Sequence, residues 1–388
     1  MAPRQSLQAF LATARNALTT PAAQRTTPLT FVVGNESADL DSLSSAVVYA
    51  YIRSCSPPHT LHIPLSNLPR ADLALRNEMT AVLKSAGLAA TDLLTLSDLP
   101  ELDPDDTNWM LVDHNCLTGQ LKQFAGRIIG CIDHHTDEGA VGQSVSPRVV
   151  EPCGSCMSLV VEETRQAWDA LSRDVEDGGD AADEDEKLAK IGLASILSDT
   201  INLTAKAKVR EKDPRAVAYL EAKIRDAGFD RTRYFDDISA VKEDISGLNF
   251  RDIFRKDYKE WDESGLKLGV SCSVQGFDYL VAKAGGPLPL LDDLAGWVRE
   301  RGLDVAALMT TSHPDSEFQR HLLVWGVTDD GRAAVERFRD TGAGELQLDT
   351  WGDGVLDDDK IRSAWRQRNL AASRKQVAPL LREALKKS

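Results

Sequence analysis

The sequence predicts an α/β protein in which a doubly wound parallel sheet is followed by a smaller α/β domain with a second sheet. Over the first half of the chain, short apolar runs alternate with helical patterns, as in parallel strands joined by helices. From about Asp230, a polar helical stretch precedes three further apolar runs, which indicate the second sheet. We therefore place a boundary near residues 228–235 and predict domains over residues 1–230 and 235–388.

The elements of the first domain follow in chain order. "TFVVGN" predicts a strand and "DSLSSAVVYAYIRS" the helix after it. "TLHIPLS" predicts the next strand, followed by the helix "ADLALRNEMTAVLKSAG". "WMLVDHN", "RIIGCIDHH" and "PRVVEP" predict three more strands, and helices are predicted from about Ser155 and over "EKLAKIGLASILSDT" and "DPRAVAYLEAKIRDAG". In the second domain, "LKLGVSCSVQ", "LDVAALMTTS" and "RHLLVWGV" predict strands.

Composition excludes several classes of protein. A net charge of −15 argues against binding nucleic acid through bulk charge. No apolar run approaches the roughly 18–20 residues of a membrane-spanning helix. Six cysteines in 388 residues suggest no disulfide framework and fit a reducing compartment. The single C-x-x-C, from Cys153 to Cys156, is interpreted as structural, with a redox role as the alternative. We expect a monomer that binds neither nucleic acid nor membranes.

Charge is unevenly distributed along the chain. Residues 174–186 hold eight acids and no base, which predicts a solvated, mobile loop over about residues 174–187. A functional acidic tether is the alternative. No acid precedes Glu36, and the basic amphipathic stretch "SLQAFLATARNAL" predicts a helix packed on the first domain, with mitochondrial targeting as the alternative. We therefore expect a cytoplasmic protein, with the mitochondrial matrix as the alternative location.

Polar side chains follow several predicted strands at the point where each strand ends. The carboxyl ends of parallel strands meet at one edge of a sheet, where ligands bind in such folds. We therefore expect these side chains to lie close together. Asp199 ends an apolar helix, where a lone buried acid would be costly, and it joins the same set. The candidates are Asn35, Asp39, Asp41, Asp113, His134, His135 and Asp199.

Such a set predicts a site for two divalent cations. Four carboxylates in one pocket repel one another unless positive charge lies between them. A ligand set made mostly of oxygen favours Mg²⁺ or Mn²⁺ over a structural zinc. Paired metals are a common device for phosphoryl hydrolysis, because they activate a water and offset charge on the phosphate oxygens. For any single aspartate after a strand, a helix N-cap is the alternative interpretation.

Five short motifs carry a resemblance. "GNESADLDS", "LVDHN", "IDHH", "GSCMSL" and "ILSDT", in this order, resemble the DHH phosphoesterase superfamily. "KDYKEW" and "ASRKQVAP" are similar to the second type of DHH-associated C-terminal domain, which is shared by family II inorganic pyrophosphatases, prune-type proteins and fungal exopolyphosphatases. The resemblance spans nearly the whole chain.

The resemblance implies a role for each candidate residue. Asn35 and Asp39 would bind one metal, Asp41 and His134 the other, and Asp113 and Asp199 would bridge both. His135 would act beside the phosphoanhydride as a proton donor or charge stabiliser. The resemblance also implies that the substrate lies between the domains and that closure completes the site. The implied phosphate-binding residues of the second domain are Lys259, Arg374 and Lys375.

The details of the motifs favour one branch of the superfamily. Asn35 stands where family II pyrophosphatases carry histidine, and its harder amide oxygen should shift the metal preference from Mn²⁺ toward Mg²⁺. The intact "IDHH" favours an exopolyphosphatase over a prune-type protein, whereas "DHN" at residues 113–115 is spelled as in the pyrophosphatases. We therefore expect an exopolyphosphatase that releases orthophosphate from the ends of linear inorganic polyphosphate. The alternatives are a pyrophosphatase or short-chain polyphosphatase, and a prune-like phosphoesterase that mainly binds partners.

Overall fold

The computed structural model describes residues 4–173, 180–314, 317–358 and 361–386. Contacts between Cα positions divide the chain into two units, Met1–Lys242 and Glu243–Ser388. Helix α7 (Arg231–Glu243) follows the predicted boundary but lies with the first unit. Tyr234 on this helix donates a hydrogen bond of 3.0 Å to the carbonyl oxygen of Lys190, and Lys242 donates one of 2.8 Å to Ser198.

The first unit is built on a six-stranded parallel sheet, as predicted. Its strand order is β3-β2-β1-β4-β5-β6, so the order reverses between β1 and β4, where ligands bind in doubly wound sheets. The strands are β1 (Leu29–Val33), β2 (His62–Ser66), β3 (Leu94–Thr95), β4 (Thr107–Val112), β5 (Ile128–Asp133) and β6 (Arg148–Val150). The helices before α7 are α1 (Leu7–Thr19), α2 (Leu40–Cys55), α3 (Asn77–Ser85), α4 (Cys156–Arg173), α5 (Asp180–Thr200) and α6 (Lys212–Glu221).

The register of the central strands brings their ends to the same level. Val33 pairs with Leu111, and Val112 pairs with Ile132. The polar residues that follow β1, β4 and β5 therefore leave the sheet at one edge. Alternate strand residues pack into two apolar layers, one against α2, α4 and α5 and the other beneath α1.

The N-terminal helix and the acidic segment are in contact. Leu7, at the start of α1, donates its backbone N–H to a carboxylate oxygen of Glu184 at 2.7 Å. Arg4 forms an ion pair of 2.7 Å with Asp185, and both side chains are buried. Residues 180–187 are thus the first turns of α5 and not the predicted loop, because Asp185 binds the positive charge of Arg4 and Glu184 binds the N–H of Leu7. Residues 174–179 of that predicted loop lie outside the described residues.

The second unit contains a mixed sheet with helices on both faces. Its order is β11-β12-β10-β9-β8-β7; β8 and β9 are parallel and the other neighbours antiparallel. The strands are β7 (Tyr258–Glu263), β8 (Leu266–Ser273), β9 (Val305–Ser312), β10 (Gln319–Gly326), β11 (Leu348–Thr350) and β12 (Arg362–Gln367). The helices are α8 (Phe250–Lys256), α9 (Phe277–Ala284), α10 (Pro287–Arg301), α11 (Asp329–Leu346) and α12 (Arg374–Leu385). Helices α8–α10 cover one face, and α11 and α12 cover the other.

No helix within the described parts of the chain is both long and apolar enough to cross a lipid bilayer.

Candidate active site

The segment after β1 folds back tightly onto the start of α2. A Cβ atom on Gly34 would lie 2.6 Å from the Cβ atom of Ser42, so only glycine fits there. The Asn35 N–H donates to the Ser42 hydroxyl at 3.1 Å, and the Ser42 N–H donates to the Asp39 carboxylate at 3.0 Å. Asp39 is therefore the N-cap of α2. This is the alternative interpretation given above for a single aspartate that follows a strand.

Asp41 is held by donors from two other helices. Its side chain is buried, at 1% exposure. The hydroxyls of Ser155 and Ser195 donate to Oδ1 at 2.9 and 2.7 Å. The backbone N–H groups of Cys156 and Met157, in the first turn of α4, donate to Oδ2 and Oδ1 at 2.7 and 3.0 Å. Together these donors and the N-terminus of α4 stabilise a buried negative charge at this position.

Asp113 follows β4 in a left-handed conformation with φ of 62°. Its Oδ2 atom accepts hydrogen bonds from the Asn35 amide at 2.8 Å and the Ser42 hydroxyl at 2.6 Å. Its Oδ1 atom is buried, lacks a well-formed hydrogen bond within the described residues, and lies 3.2 Å from Nε2 of His134. Burial alone would raise the pKa of Asp113, but the two histidines and Ser42 hold that pKa below its ordinary value.

The paired histidines are oriented in different ways. Nδ1 of His134 lies 3.0 Å from the carbonyl oxygen of Cys153 and donates to it, so Nε2 faces Asp113 and lies 3.9 Å from Asp41 Oδ2. Nδ1 of His135 lies 2.7 Å from Asp133, whose other oxygen accepts a 2.5 Å hydrogen bond from Asn115. Asp133 thus fixes the orientation of the His135 ring.

Asp199 completes a crowded set of acids. Burial, with Asp41 and then Asp39 nearby, raises the pKa of Asp199 to about 8. Ligand atoms of Asp41, His134 and Asp199 lie within 4.8 Å of one another, and so do those of Asp113, His134 and His135. The structure therefore brings five of the predicted site residues into two overlapping groups.

These groups fit divalent cations. Because His134 donates through Nδ1, its neutral form turns the Nε2 lone pair toward the Asp113 carboxylate oxygen 3.2 Å away. Two lone pairs at that distance need a proton or a cation between them. Burial is the main cause of the raised pKa of Asp199, and the neighbouring carboxylates of Asp41 and Asp39 add to it, which shows that this group of acids has too little positive charge nearby. Oxygen atoms with imidazole nitrogen suit Mg²⁺ or Mn²⁺.

Asn35 lies in the site with its amide turned inward. Its amide nitrogen donates to Asp113, and its carbonyl oxygen accepts the Ser37 N–H at 2.8 Å. In this conformation Asn35 fixes the Asp113 carboxylate and does not present its oxygen to the acidic groups.

Asp213 is a site residue that the sequence did not reveal. It is fully buried and accepts hydrogen bonds from the Gly154 N–H at 2.9 Å, the Ser158 hydroxyl at 2.7 Å and the Arg210 N–H at 2.7 Å. It thereby fixes the turn that presents the Ser155 hydroxyl and two N–H groups to Asp41. No local signal marks Asp213, because it lies in an ordinary helical pattern. Ser195 was detectable, as a polar residue in an apolar helix four positions before Asp199.

The C-x-x-C thiols are structural in this setting. Cys153 and Cys156 are buried free cysteines. Burial raises the pKa of the Cys153 thiol to about 12 and that of Cys156 well above its ordinary value. Cys156 donates to the carbonyl oxygen of Ile132 at 3.2 Å. Reactive cysteines have lowered pKa values, so these two are poor redox groups.

The basic candidates of the second unit lie around Cys272. Arg374, at the start of α12, forms an ion pair of 2.8 Å with Asp257, and Lys375 follows it. Burial raises the pKa of Cys272 to about 12, against the opposing effect of nearby Arg374, Arg320 and Lys259. Arg320 is buried in this group and donates to the carbonyl oxygen of Leu370 at 2.9 Å.

Comparison with known proteins adds family matches to this geometry. The chain matches the N-terminal domain of the DHH family over residues 30–196 and the DHHA2 domain over residues 236–384. It is 32% identical over 363 residues to a Schizosaccharomyces pombe protein named "Putative exopolyphosphatase", covering 92% of this chain and 91% of that protein. It is 29% identical over 379 residues to rat (Rattus norvegicus) exopolyphosphatase PRUNE1, covering 94% of this chain and 77% of the relative.

More distant matches are pyrophosphatases. A manganese-dependent inorganic pyrophosphatase of Methanothrix thermoacetophila is 26% identical over 287 residues, covering 72% of this chain and 80% of its own length. The crystal structure of a Methanococcus jannaschii "putative family II inorganic pyrophosphatase" superposes with a TM-score of 0.60 at 20% identity, covering 92% of this chain and 99% of that chain. At that identity the likeness shows a shared fold.

Proposed function

Because this chain belongs to the DHH phosphoesterase family and carries a DHHA2 domain, we propose that it releases orthophosphate from the ends of linear inorganic polyphosphate. It is a hydrolase, and relatives named exopolyphosphatase and pyrophosphatase support phosphoanhydrides in general as its substrates. The choice of polyphosphate is the finer part of the proposal. The observation that carries the chemistry is the convergence of Asp41, Asp113, His134 and Asp199 at the carboxyl edge of the sheet.

The proposed site holds two divalent cations. Asp41, Asp113, His134 and Asp199 would hold them, with Asp39 at the exposed side of the same group. When bound, such cations supply an activated water and offset negative charge on the phosphate oxygens. We propose Mg²⁺ as the physiological ion, since the site is rich in carboxylate oxygen, and Mn²⁺ as the competing ion.

The protein's own residues carry the remaining steps. Asp133 fixes His135 through Nδ1, so Nε2 of this partly exposed ring is the atom that donates a proton to the leaving phosphate oxygen. Buried hydrogen bonds keep Asp41 and Asp113 in place, which preorganises the site before substrate arrives. Lys259, Arg374 and Lys375 would bind further phosphates of the chain as charge-assisted donors.

The experiment compares substrates in parallel. Phosphate release is measured from pyrophosphate, tripolyphosphate and long-chain polyphosphate, each with Mg²⁺ and with Mn²⁺, while gels follow the length of the remaining chains. We expect release from tripolyphosphate and polyphosphate, with chains that shorten from their ends. Activity on pyrophosphate alone would move the protein to the pyrophosphatase branch. No release from any of the three would refute the proposal and favour a partner-binding protein.

A matched pair of variants tests the site itself. Asp113→Asn removes the charge of a buried carboxylate while keeping its shape, and the left-handed backbone tolerates asparagine. Turnover should fall by at least about 100-fold, on the scale at which charged active-site groups act. Asp106→Asn removes an exposed carboxylate of the same unit and should leave turnover unchanged. Equal activity of the two variants would show that Asp113 is not part of the catalytic site.

A further inference from the structure

A second polar pocket lies in the second unit, away from the basic group around Cys272. It encloses about 330 Å³, at the lower end of the size of small-molecule sites. Strands β10, β11 and β12 and the first turn of α9 form its walls. Its lining includes His321, Trp351, Arg366 and Arg368.

Three neighbouring strands place a row of polar side chains in this pocket. Asp349 on β11 lies directly opposite Arg366 on β12, which in turn lies opposite His321 on β10. Side chains of directly opposed residues in antiparallel strands lie on the same face, about 4.5–5.5 Å apart at Cβ. The row therefore brings a guanidinium and an imidazole side by side.

Both groups of this row offer donors to the pocket. His321 is 3% exposed, and its Nδ1 accepts the N–H of Phe277 at 3.3 Å, so its proton is on Nε2. Within the described residues Nε2 has no hydrogen-bond partner. Burial lowers the pKa of His321 to about 4, which keeps the ring neutral. Arg366 likewise makes no hydrogen bond or ion pair within the described residues, because Asp349 binds Arg368 at 2.6 Å instead.

The pocket and the basic group around Cys272 lie on opposite faces of the sheet. His321 stacks on Phe277 with ring centroids 5.1 Å apart, on the face covered by α8–α10. Its neighbour Arg320 points to the face covered by α12, as residues in a strand alternate. A ligand in the pocket is therefore distinct from one bound at Lys259 and Arg374.

We propose that this pocket binds a small molecule carrying a single phosphate group. Arg366 and the Nε2–H of His321 would hold the phosphate, with Arg368 at the rim, as charge-assisted and neutral donors. Asp349 pairs with Arg368, which leaves Arg366 as the lining cation without an ion pair among the described residues, and Asp278 adds a negative charge at the wall. The pocket therefore suits one phosphate group and not a long polyanion. The partly exposed ring of Trp351 provides an apolar wall for a ring attached to that phosphate.

Calorimetric titration of the full chain, with EDTA present to prevent turnover, tests this proposal. The probes are orthophosphate, phenyl phosphate and phenol. We expect saturable binding of phenyl phosphate, weaker binding of orthophosphate and no binding of phenol. Tighter binding of orthophosphate than of phenyl phosphate would show that the pocket binds free phosphate and not a phosphate ester. The proposal is overturned if neither phosphate probe saturates.

Variants locate the binding. Arg366→Ala and the better-tolerated Arg366→Gln should each weaken phosphate binding at least tenfold, and Trp351→Leu should weaken phenyl phosphate more than orthophosphate. Arg374→Ala with Lys375→Ala should leave the affinity within twofold. Unchanged binding in both Arg366 variants, or loss of binding in the Arg374 and Lys375 variant, would show that the phosphate binds elsewhere.

Discussion

Replacing Asp213 by alanine should destabilise the first unit and loosen the candidate cation site. The change removes the acceptor of five donors. The N–H groups of Gly154 and Arg210 and the hydroxyl of Ser158 donate at 2.7–2.9 Å, and the Ser155 N–H and the Cys153 thiol donate at 3.3 and 3.2 Å. The three shorter bonds set the magnitude. Each buried donor left unpaired costs about 1 kcal/mol or more, so the loss should reach about 3 kcal/mol. For a unit of this size that corresponds to a fall of about 6–12 °C in Tm.

The same change should reduce the response of the protein to cations. The turn fixed by Asp213 supplies the Ser155 hydroxyl and the Cys156 and Met157 N–H groups to Asp41. Without it, the Asp41 carboxylate is less well ordered and should bind cations more weakly. Thermal unfolding with and without Mg²⁺ or Mn²⁺ measures this independently of activity, as the rise in Tm that the cation produces.

Two controls make the result decisive. Asp213→Asn keeps one acceptor oxygen and should lose about half as much stability, whereas Asp106→Ala, at an exposed position, should change it by less than about 0.5 kcal/mol. A Tm for Asp213→Ala within 2 °C of the unmodified protein, about the shift expected for a loss of less than 1 kcal/mol, would refute the hydrogen-bond reasoning. A lower Tm with an unchanged cation response would refute the link from Asp213 to Asp41.

Three further predictions concern other parts of the molecule. Asp133→Asn should lower kcat about 10–100-fold with little change in KM, since it removes the support of a catalytic imidazole; an unchanged kcat in steady-state assays would exclude that role. Arg374→Ala with Lys375→Ala should mainly raise KM, and more for long polyphosphate than for tripolyphosphate; an equal effect on both substrates would contradict binding along the chain. Arg4→Ala should destabilise the first unit by about 3 kcal/mol in thermal unfolding, because it removes the cation paired with the buried carboxylate of Asp185, to which, among the described residues, only neutral donors such as Trp168 and Ser172 then remain; a shift equal to that of an exposed arginine such as Arg332→Ala would contradict this.

The parallel sheet could be predicted because its strands are buried on both faces. Runs such as residues 29–33 and 107–112 are mostly apolar, and polar or charged residues follow them. The missed strands lack that signal. β3 has two residues, and β7 and β11 are polar because they lie at the two edges of the second sheet. β12 is paired on both sides, but most of its residues are polar. Their pairing depends on contacts distant in sequence, which local patterns do not contain.

The part of the candidate site that could be predicted consists of the residues that follow strands. Asp41, Asp113 and His134 could be grouped because parallel strands end at one edge. The residues that support them could not be predicted in this way, since Asp213 and Ser155 lie in or next to helices, and local sequence patterns do not show how those helices pack. The segment over residues 180–187 illustrates the same limit. Its acids suggest a solvated loop by composition, but they are helical because Arg4 and the N–H of Leu7 bind two of them.

The left-handed backbone at Asp113 limits how this protein can lose its activity during evolution. With φ of 62°, the position accepts Asn, Asp and Gly, whereas most other side chains would cost about 1–2 kcal/mol. Mutational drift after loss of catalysis should therefore lead first to asparagine or glycine at this position. A descendant that keeps the fold but has lost hydrolysis would be recognisable by that single replacement, and restoring aspartate there would be the first step toward regaining the charge of the site.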